Sequence, residues 1–166
     1  MPLESLSAEV RGAQRGFTLV ELMVSLAILS IIAMMAVPYV EMTVRREREA
    51  ELRSDLRLVR RALDQFHDDW EARRILRDES TASLDGYPRN LQVLVDGVPD
   101  TGPITKTRRY LRGIPVDPFS DNASDAWILR SYQDAPGALH WGGQDVYDLH
   151  SASREEAIDG SRIHDW

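Results

Sequence analysis

The residues with the clearest chemical use stand near the start of the chain, in Gly16-Phe17-Thr18-Leu19-Val20-Glu21-Leu22. They open an apolar run over residues 17–40 whose one charged side chain is Glu21. A carboxylate in such a run costs about 2.5–3.5 kcal/mol at a bilayer centre and less near an interface, so it needs a partner. No Lys or Arg occurs over residues 17–44. A cut between Gly16 and Phe17 would create a cation, because a new α-amino group has an unperturbed pKa of about 7.7–8. Within a straight helix that amine cannot comfortably fold back onto its own Glu21. The matching cation therefore comes from a neighbouring copy, and the residues describe a processed segment that assembles.

A second group is acidic. Asp145, Asp148, Glu155, Glu156, Asp159 and Asp165 surround a loop late in the chain. Calcium takes such oxygen-rich loops, and a solvated acidic loop closed by Asp159-Gly160 uses the same residues. Elsewhere the chemistry thins out. His67, His140, His150 and His164 are scattered, with no nucleophile motif, no metal-ligand pair at helical spacing and no phosphate-cradling glycine loop. The composition argues against an enzyme. Seven arginines over residues 45–61 (Arg45, Arg46, Arg48, Arg53, Arg57, Arg60 and Arg61) raise the question of nucleic acid. They are interleaved with Glu47, Glu49, Glu51 and Asp55 on a protein of net charge −7, which is a poor polyanion binder. Trp127, Trp141 and Trp166 fit packing better than a binding platform.

The elements that position these groups follow from periodicity. Twenty-four apolar residues make a helix of roughly 36 Å, enough to cross about 30 Å of hydrocarbon with some tilt. Leu, Val, Ile, Met and Ala face all round it, whereas the core helix of a soluble protein usually shows a stripe. An ordinary signal peptide would have an apolar core of about 7–15 residues and a small-residue cleavage site. Arg11 and Arg15 adjoin the run and place that end in the cytoplasm by the positive-inside rule. Two acids and two arginines cancel over residues 1–16, so a chain starting at Phe17 keeps the net −7. Pro38 lacks an amide hydrogen and should loosen the helix over residues 34–38.

From residue 45 the helix changes character. Leu52, Leu56, Val59, Leu63, Phe66 and Trp70 are spaced as one apolar stripe, with Glu49, Arg53, Arg57, Arg60, Arg61 and Asp64 assigned to the opposite face. Fewer than about three heptads are too few for a coiled coil, so the stripe predicts a small domain folded onto the helix. The helix is expected to end over residues 74–83, before Gly86-Tyr87-Pro88. Leu91, Val93, Leu94 and Val95 form a short helix or strand, and residues 97–107 read as a loop. Pro115 and Pro118 favour extended backbone. Strands are expected over 127–132 and 144–149, separated by Pro136-Gly137 and Gly142-Gly143.

With these residues in view, Gly16-Phe17-Thr18-Leu19-Val20-Glu21 resembles the cleavage and methylation signature of type IV pilins and type II secretion pseudopilins, with Pro38 where the family commonly has its helix-loosening proline. The resemblance implies that a prepilin peptidase cuts after Gly16 and methylates the Phe17 amine, and that Glu21 helps neutralise a neighbour's amine in a filament. Tyr87-Pro88, paired leucines, Tyr110-Leu111 and Pro115-Val116-Asp117-Pro118-Phe119 resemble the globular domain of the major, G-class pseudopilin. The absence of cysteine leans the same way, since the C-terminal loop of many type IV pilins is disulfide-closed.

The resemblance implies an α+β, pilin-like fold, in which a long N-terminal helix, half membrane span and half amphipathic, is packed by a small antiparallel β-sheet domain. Residues 1–16 are then a cleaved leader and 17–40 the transmembrane and assembly helix. Residues 41–166 are a periplasmic globular domain that includes the amphipathic helix half, 41–76. The implied protein is a structural subunit, single-pass in the inner membrane. Its partners are membrane lipid, other pseudopilins, the prepilin peptidase and the inner-membrane secretion platform, with no nucleic acid. A type IV pilin of a surface fibre is the second reading, and a monomeric membrane-tethered binding module a third. G-class members bind calcium in a C-terminal loop, which would map to Asp145, Asp148, Leu149 and Asp159. Here Ala152 and Ser153 stand where an Asp-Gly pair is usual, and Arg162 where a second acid may fall.

Overall fold

The computed structural model describes residues 16–104, 106–120, 127–138 and 140–166, with backbone only at 35–38. Their first element is the helix α1, Leu19–Glu71. The chain divides into two compact units, Met1–Met42 and Thr43–Trp166, and each is considered by itself.

In the first unit Gly16, Phe17 and Thr18 precede the helix. Every described side chain over 17–34 is exposed, and no residue of the most apolar 18-residue window is buried. By length and composition this helix can cross a membrane. Its two serines place no free hydroxyl on the apolar surface: Ser25 Oγ donates to Glu21 O at 2.7 Å and Ser30 Oγ to Leu26 O at 2.7 Å. Helical backbone continues through Pro38.

In the second unit the expected stripe is the centre of the core. Leu52, Leu56, Val59, Leu63 and Phe66 are all nearly inaccessible, and Trp70 packs against them. They are covered by Ile75, Leu94, Val98, Val146, Leu149 and Ile163, with Phe66 meeting the Tyr110 ring edge-on at 5.3 Å. Burying five large apolar side chains at about 1.5–3 kcal/mol each gives this half of α1 its reason to fold with the domain rather than alone.

The helix ends at Glu71, a few residues before the expected 74–83 and before the limit of 76 set for the amphipathic half. The stop is a Schellman turn. Arg73 takes φ +55°, its amide donates to Trp70 O at 3.1 Å, and the Arg74 amide reaches Asp69 O at 2.8 Å. No glycine marks this position, because the left-handed residue is an arginine. The buried Asp69 carboxylate then ties down the chain beyond the turn, accepting from Arg74 Nε at 2.5 Å and Tyr110 OH at 3.0 Å and pairing with Arg108 at 3.1 Å. Burial, then this bond to Asp69, holds the Tyr110 hydroxyl well above its ordinary pKa.

The connecting elements are short. Residues 91–95 resolve as a helix, α2 (Gln92–Asp96). The stretch read as a loop over 97–107 contains β1 (Val98–Pro99), which pairs antiparallel with β2 (Thr107–Arg108). Two-residue strands carry no alternation to read, which is why the loop signal of Gly97, Pro99 and Gly102 prevailed. Gly97 has φ +84°, and a Cβ there would lie 2.6 Å from Arg108 O, so the hairpin needs glycine at that point.

The second sheet is antiparallel, β3 (Trp127–Arg130) against β4 (Asp148–Ser151), with Trp127 opposite Ser151 and Arg130 opposite Asp148. β3 falls where expected. The second strand does not: it begins at Asp148 rather than 144. Residues 144–147 instead turn, with Val146 N donating to Pro88 O at 2.7 Å and Tyr147 N to Arg130 O at 2.8 Å. A single turn of 3-10 helix, Ile163–Asp165, packs on β4. The architecture is α+β and pilin-like: a long N-terminal helix and small antiparallel sheets.

Candidate assembly and processing site

Gly16 and Phe17 are exposed and lie just outside α1, so the bond between them is not part of the helix. A peptidase that requires extended backbone meets no helix to unwind there. Thr18 is the cap. Its Oγ1 accepts the Glu21 amide at 3.2 Å and its carbonyl accepts Leu22 N at 3.1 Å. Thr18-Leu19-Val20-Glu21 is thus the Ser/Thr-x-x-Glu pattern of a capping box, with Glu21 at the third helical position. Sequence reasoning passed over Thr18, although the T-x-x-E spacing was there to be read. The cap fixes where the helix starts and so fixes the distance of Glu21 from Phe17.

Glu21 stands in the first turn, where the helix dipole favours an anion. Its side chain is exposed, and among the described residues no cation pairs with it. Pro38 is helical backbone, and its side chain lies outside the described residues. Residues 1–15, the rest of the expected leader with Arg11 and Arg15, also lie outside them.

The acids put forward for calcium are placed separately. Asp145 is fully buried, and its Oδ1 accepts Tyr132 N at 2.9 Å. Its Oδ2 has no hydrogen-bond partner among the described residues. Asp148 is taken by two arginines, Arg60 Nε at 2.8 Å and Arg130 Nη2 at 3.2 Å. The Leu149 carbonyl accepts Arg60 Nη2 at 3.1 Å. Asp159 caps its own turn through Ser161 N at 2.9 Å and Ser161 Oγ at 2.6 Å, and receives Arg53 Nη2 at 3.0 Å. The Ser161 bonds chiefly, with Arg53 behind them, hold its carboxyl below the usual range. Among the described residues no group of three or more His, Cys, Asp or Glu side chains is placed to hold a metal. Guanidinium groups occupy Asp148, the Leu149 carbonyl and Asp159, whereas Asp145 is met by main-chain and neutral side-chain donors.

The assignment of Glu49 and Arg60 to the solvated face of α1 is corrected. Glu49 is buried, accepting the Ile158 amide at 2.8 Å. Arg60 is half-buried and donates to three oxygens, the third being Trp166 O at 2.6 Å. The histidines are not all scattered in space either. His140, His150 and His164 line one open cavity of about 690 Å³ with Arg154, Arg162 and Glu156. Burial lowers the pKa of His150. His67 is elsewhere, stacked on Tyr87 at 4.4 Å. Trp127 and Trp166 pack against the core, with Trp127 Nε1 donating to Pro115 O and Trp166 Nε1 to Ser161 Oγ, whereas Trp141 is exposed and its Nε1 donates to Asp145 O.

A bare apolar helix, long enough to cross a membrane, with a capped start and one acid in its first turn and followed by an α+β domain, is a pilin-like arrangement. Residues 11–37 match the prokaryotic N-terminal methylation motif. This prepilin-type motif supports a type IV pilin-like protein processed by a prepilin peptidase. No curated protein and no solved structure matches the chain.

Proposed function

We propose that the chain is a structural pseudopilin of a type II secretion system, a subunit of a short periplasmic filament that helps move folded proteins through an outer-membrane channel. The observation that carries this reading is Glu21, a carboxylate unpaired among the described residues, in the first turn of an exposed apolar helix and four residues from the bond that processing would cut. Cleavage after Gly16 gives the Phe17 amine, which is methylated and remains a cation. Glu21 of one subunit meets the amine of the next, so two charges that are costly in lipid become one neutral contact. Pro38 allows the helix to loosen as subunits pack. Arg11 and Arg15 keep the N-terminal end cytoplasmic, the helix crosses the inner membrane once, and the second unit is periplasmic. Lipid, other pseudopilins, the peptidase and the inner-membrane platform are the partners. The protein contributes contacts rather than catalysis, and nucleic acid has no part in it.

The absence of cysteine favours a secretion pseudopilin over a type IV pilin of a surface fibre. Removing the chain from its host separates the two. Loss of folded enzymes from the medium with surface fibres unchanged is the expected result. Loss of surface fibres, twitching or DNA uptake with secretion intact contradicts it.

A further inference from the structure

The segment 148–166 is tied to one helix by four side chains. Arg45, Glu49, Arg53 and Arg60 come from a single run of α1 within the second unit. Arg45 pairs with Glu155 at 3.3 Å and donates to the Glu156 carbonyl. Glu49 accepts Ile158 N at 2.8 Å, and Arg53 donates to Asp159 at 3.0 Å while its guanidinium lies 3.9 Å above the Trp166 ring. Arg60 gathers the Asp148 carboxylate, the Leu149 carbonyl and the Trp166 carbonyl around one guanidinium.

A cation that collects one carboxylate and two main-chain oxygens, from β4 and from the far end of the segment 148–166, does what calcium does in a loop site. We propose that in this chain the guanidinium of Arg60, supported by Arg53, takes that place, and that the domain closes its acidic loop without a metal. Arg60 is the stronger of the two, being half-buried with a forked donor set that matches three acceptors at once. Arg45 and Arg53 make surface pairs, which contribute less and are screened by salt. The geometry also accounts for the oxygens that calcium would need: Asp148 and Asp159 pair with arginines from α1, and the Leu149 carbonyl accepts from Arg60. Asp145 spends one oxygen on the backbone of Tyr132. This inference stands apart from the secretion reading, since it concerns only how the domain folds.

The full chain in detergent, with about 10 mM calcium or with a chelator, provides the test, because extracellular calcium modules bind at roughly 0.1–1 mM. The unfolding midpoint and the amide exchange of residues 148–166 should be the same in both. Arg60→Gln should speed exchange of that segment severalfold, notably at Ile158 and Ile163, while Arg57→Gln on the exposed side of the helix should not. Arg53→Gln should act in the same direction to a smaller extent, which keeps a reading if Arg60→Gln does not accumulate. A midpoint raised by calcium, or exchange slowed by it, overturns the proposal. So does an Arg60→Gln chain whose segment exchanges like that of the unaltered protein.

Discussion

Asp55 lies part-buried on α1, within electrostatic reach of two other carboxylates. Burial chiefly, then Glu51 and Asp117, raises its pKa above the ordinary carboxylate value. The sign of the consequence is fixed by linkage: a group with a raised folded pKa stabilises the fold below its unfolded pKa, and that contribution is lost as pH rises through the folded one. At neutral pH its charge is a cost. Asp55→Asn is therefore expected to raise the unfolding midpoint at pH 7, with the gain shrinking as pH falls through the carboxylate range. Parallel thermal scans of the two chains near pH 7 and pH 4 check this, and a midpoint lowered at pH 7 but not at pH 4 would show that Asp55 is stabilising as an anion. Asp117 is held differently, with its Oδ1 on Phe119 N at 2.8 Å and its Oδ2 on Ser151 Oγ at 2.5 Å. That pairing pins the Pro115-to-Phe119 turn to β4.

At the scale of elements, α1 is the scaffold of the second unit. Leu63→Ala removes a side chain buried to 1% exposure, at the centre of the stripe, and should cost about 2–5 kcal/mol. Arg57, one turn and a half earlier on the exposed face, should tolerate replacement within roughly 0.5 kcal/mol. Denaturant titration of both full-length variants in detergent gives the comparison, and equal midpoints would mean that the stripe is not the floor of the core. The stripe was legible because six apolar residues at helical spacing admit few other uses. The start of α1 was legible from the same logic, although its cap at Thr18 went unread. The end was not, because the terminating left-handed residue is Arg73 rather than a glycine. Nor was the place of β4, since Asp145 and Val146 look like strand, but Asp145 accepts from Tyr132 N, Ser131 Oγ and Trp141 Nε1 while Val146 N donates to Pro88 O. Glu49 and Arg60 show a further limit. A helical wheel puts polar residues outside, yet both sit at the margin of the stripe, where a loop far along the chain closes over them. Long-range closure of this kind leaves no local pattern.

For the whole molecule, two properties derive from the first unit. A chain processed after Gly16 and methylated on Phe17 has a definite mass, and intact-mass analysis of membrane-extracted protein is expected to show it in cells with an active prepilin peptidase. A mass that retains residues 1–16 in such cells would remove the cation on which the assembly argument rests. The helix beyond Phe17 is apolar on every described face over 17–34 and is covered by none of the described residues. By length and composition it can cross a membrane, and on the proposed reading lipid covers it there and neighbouring helices cover it in a filament.

Glu21→Val tests that claim most directly. The change removes a carboxylate that is costly in lipid, so the subunit should insert in the membrane as well as before, or better, and its domain should remain folded. Filaments released from the periplasm of cells that also make the unaltered platform and peptidase can be counted by sedimentation and by cross-linking between subunits. The expected result is membrane-inserted, processed Glu21→Val protein that neither sediments as filament nor cross-links. Filaments of normal yield from Glu21→Val subunits would contradict the account, because the carboxylate would then have no neighbour's amine to meet.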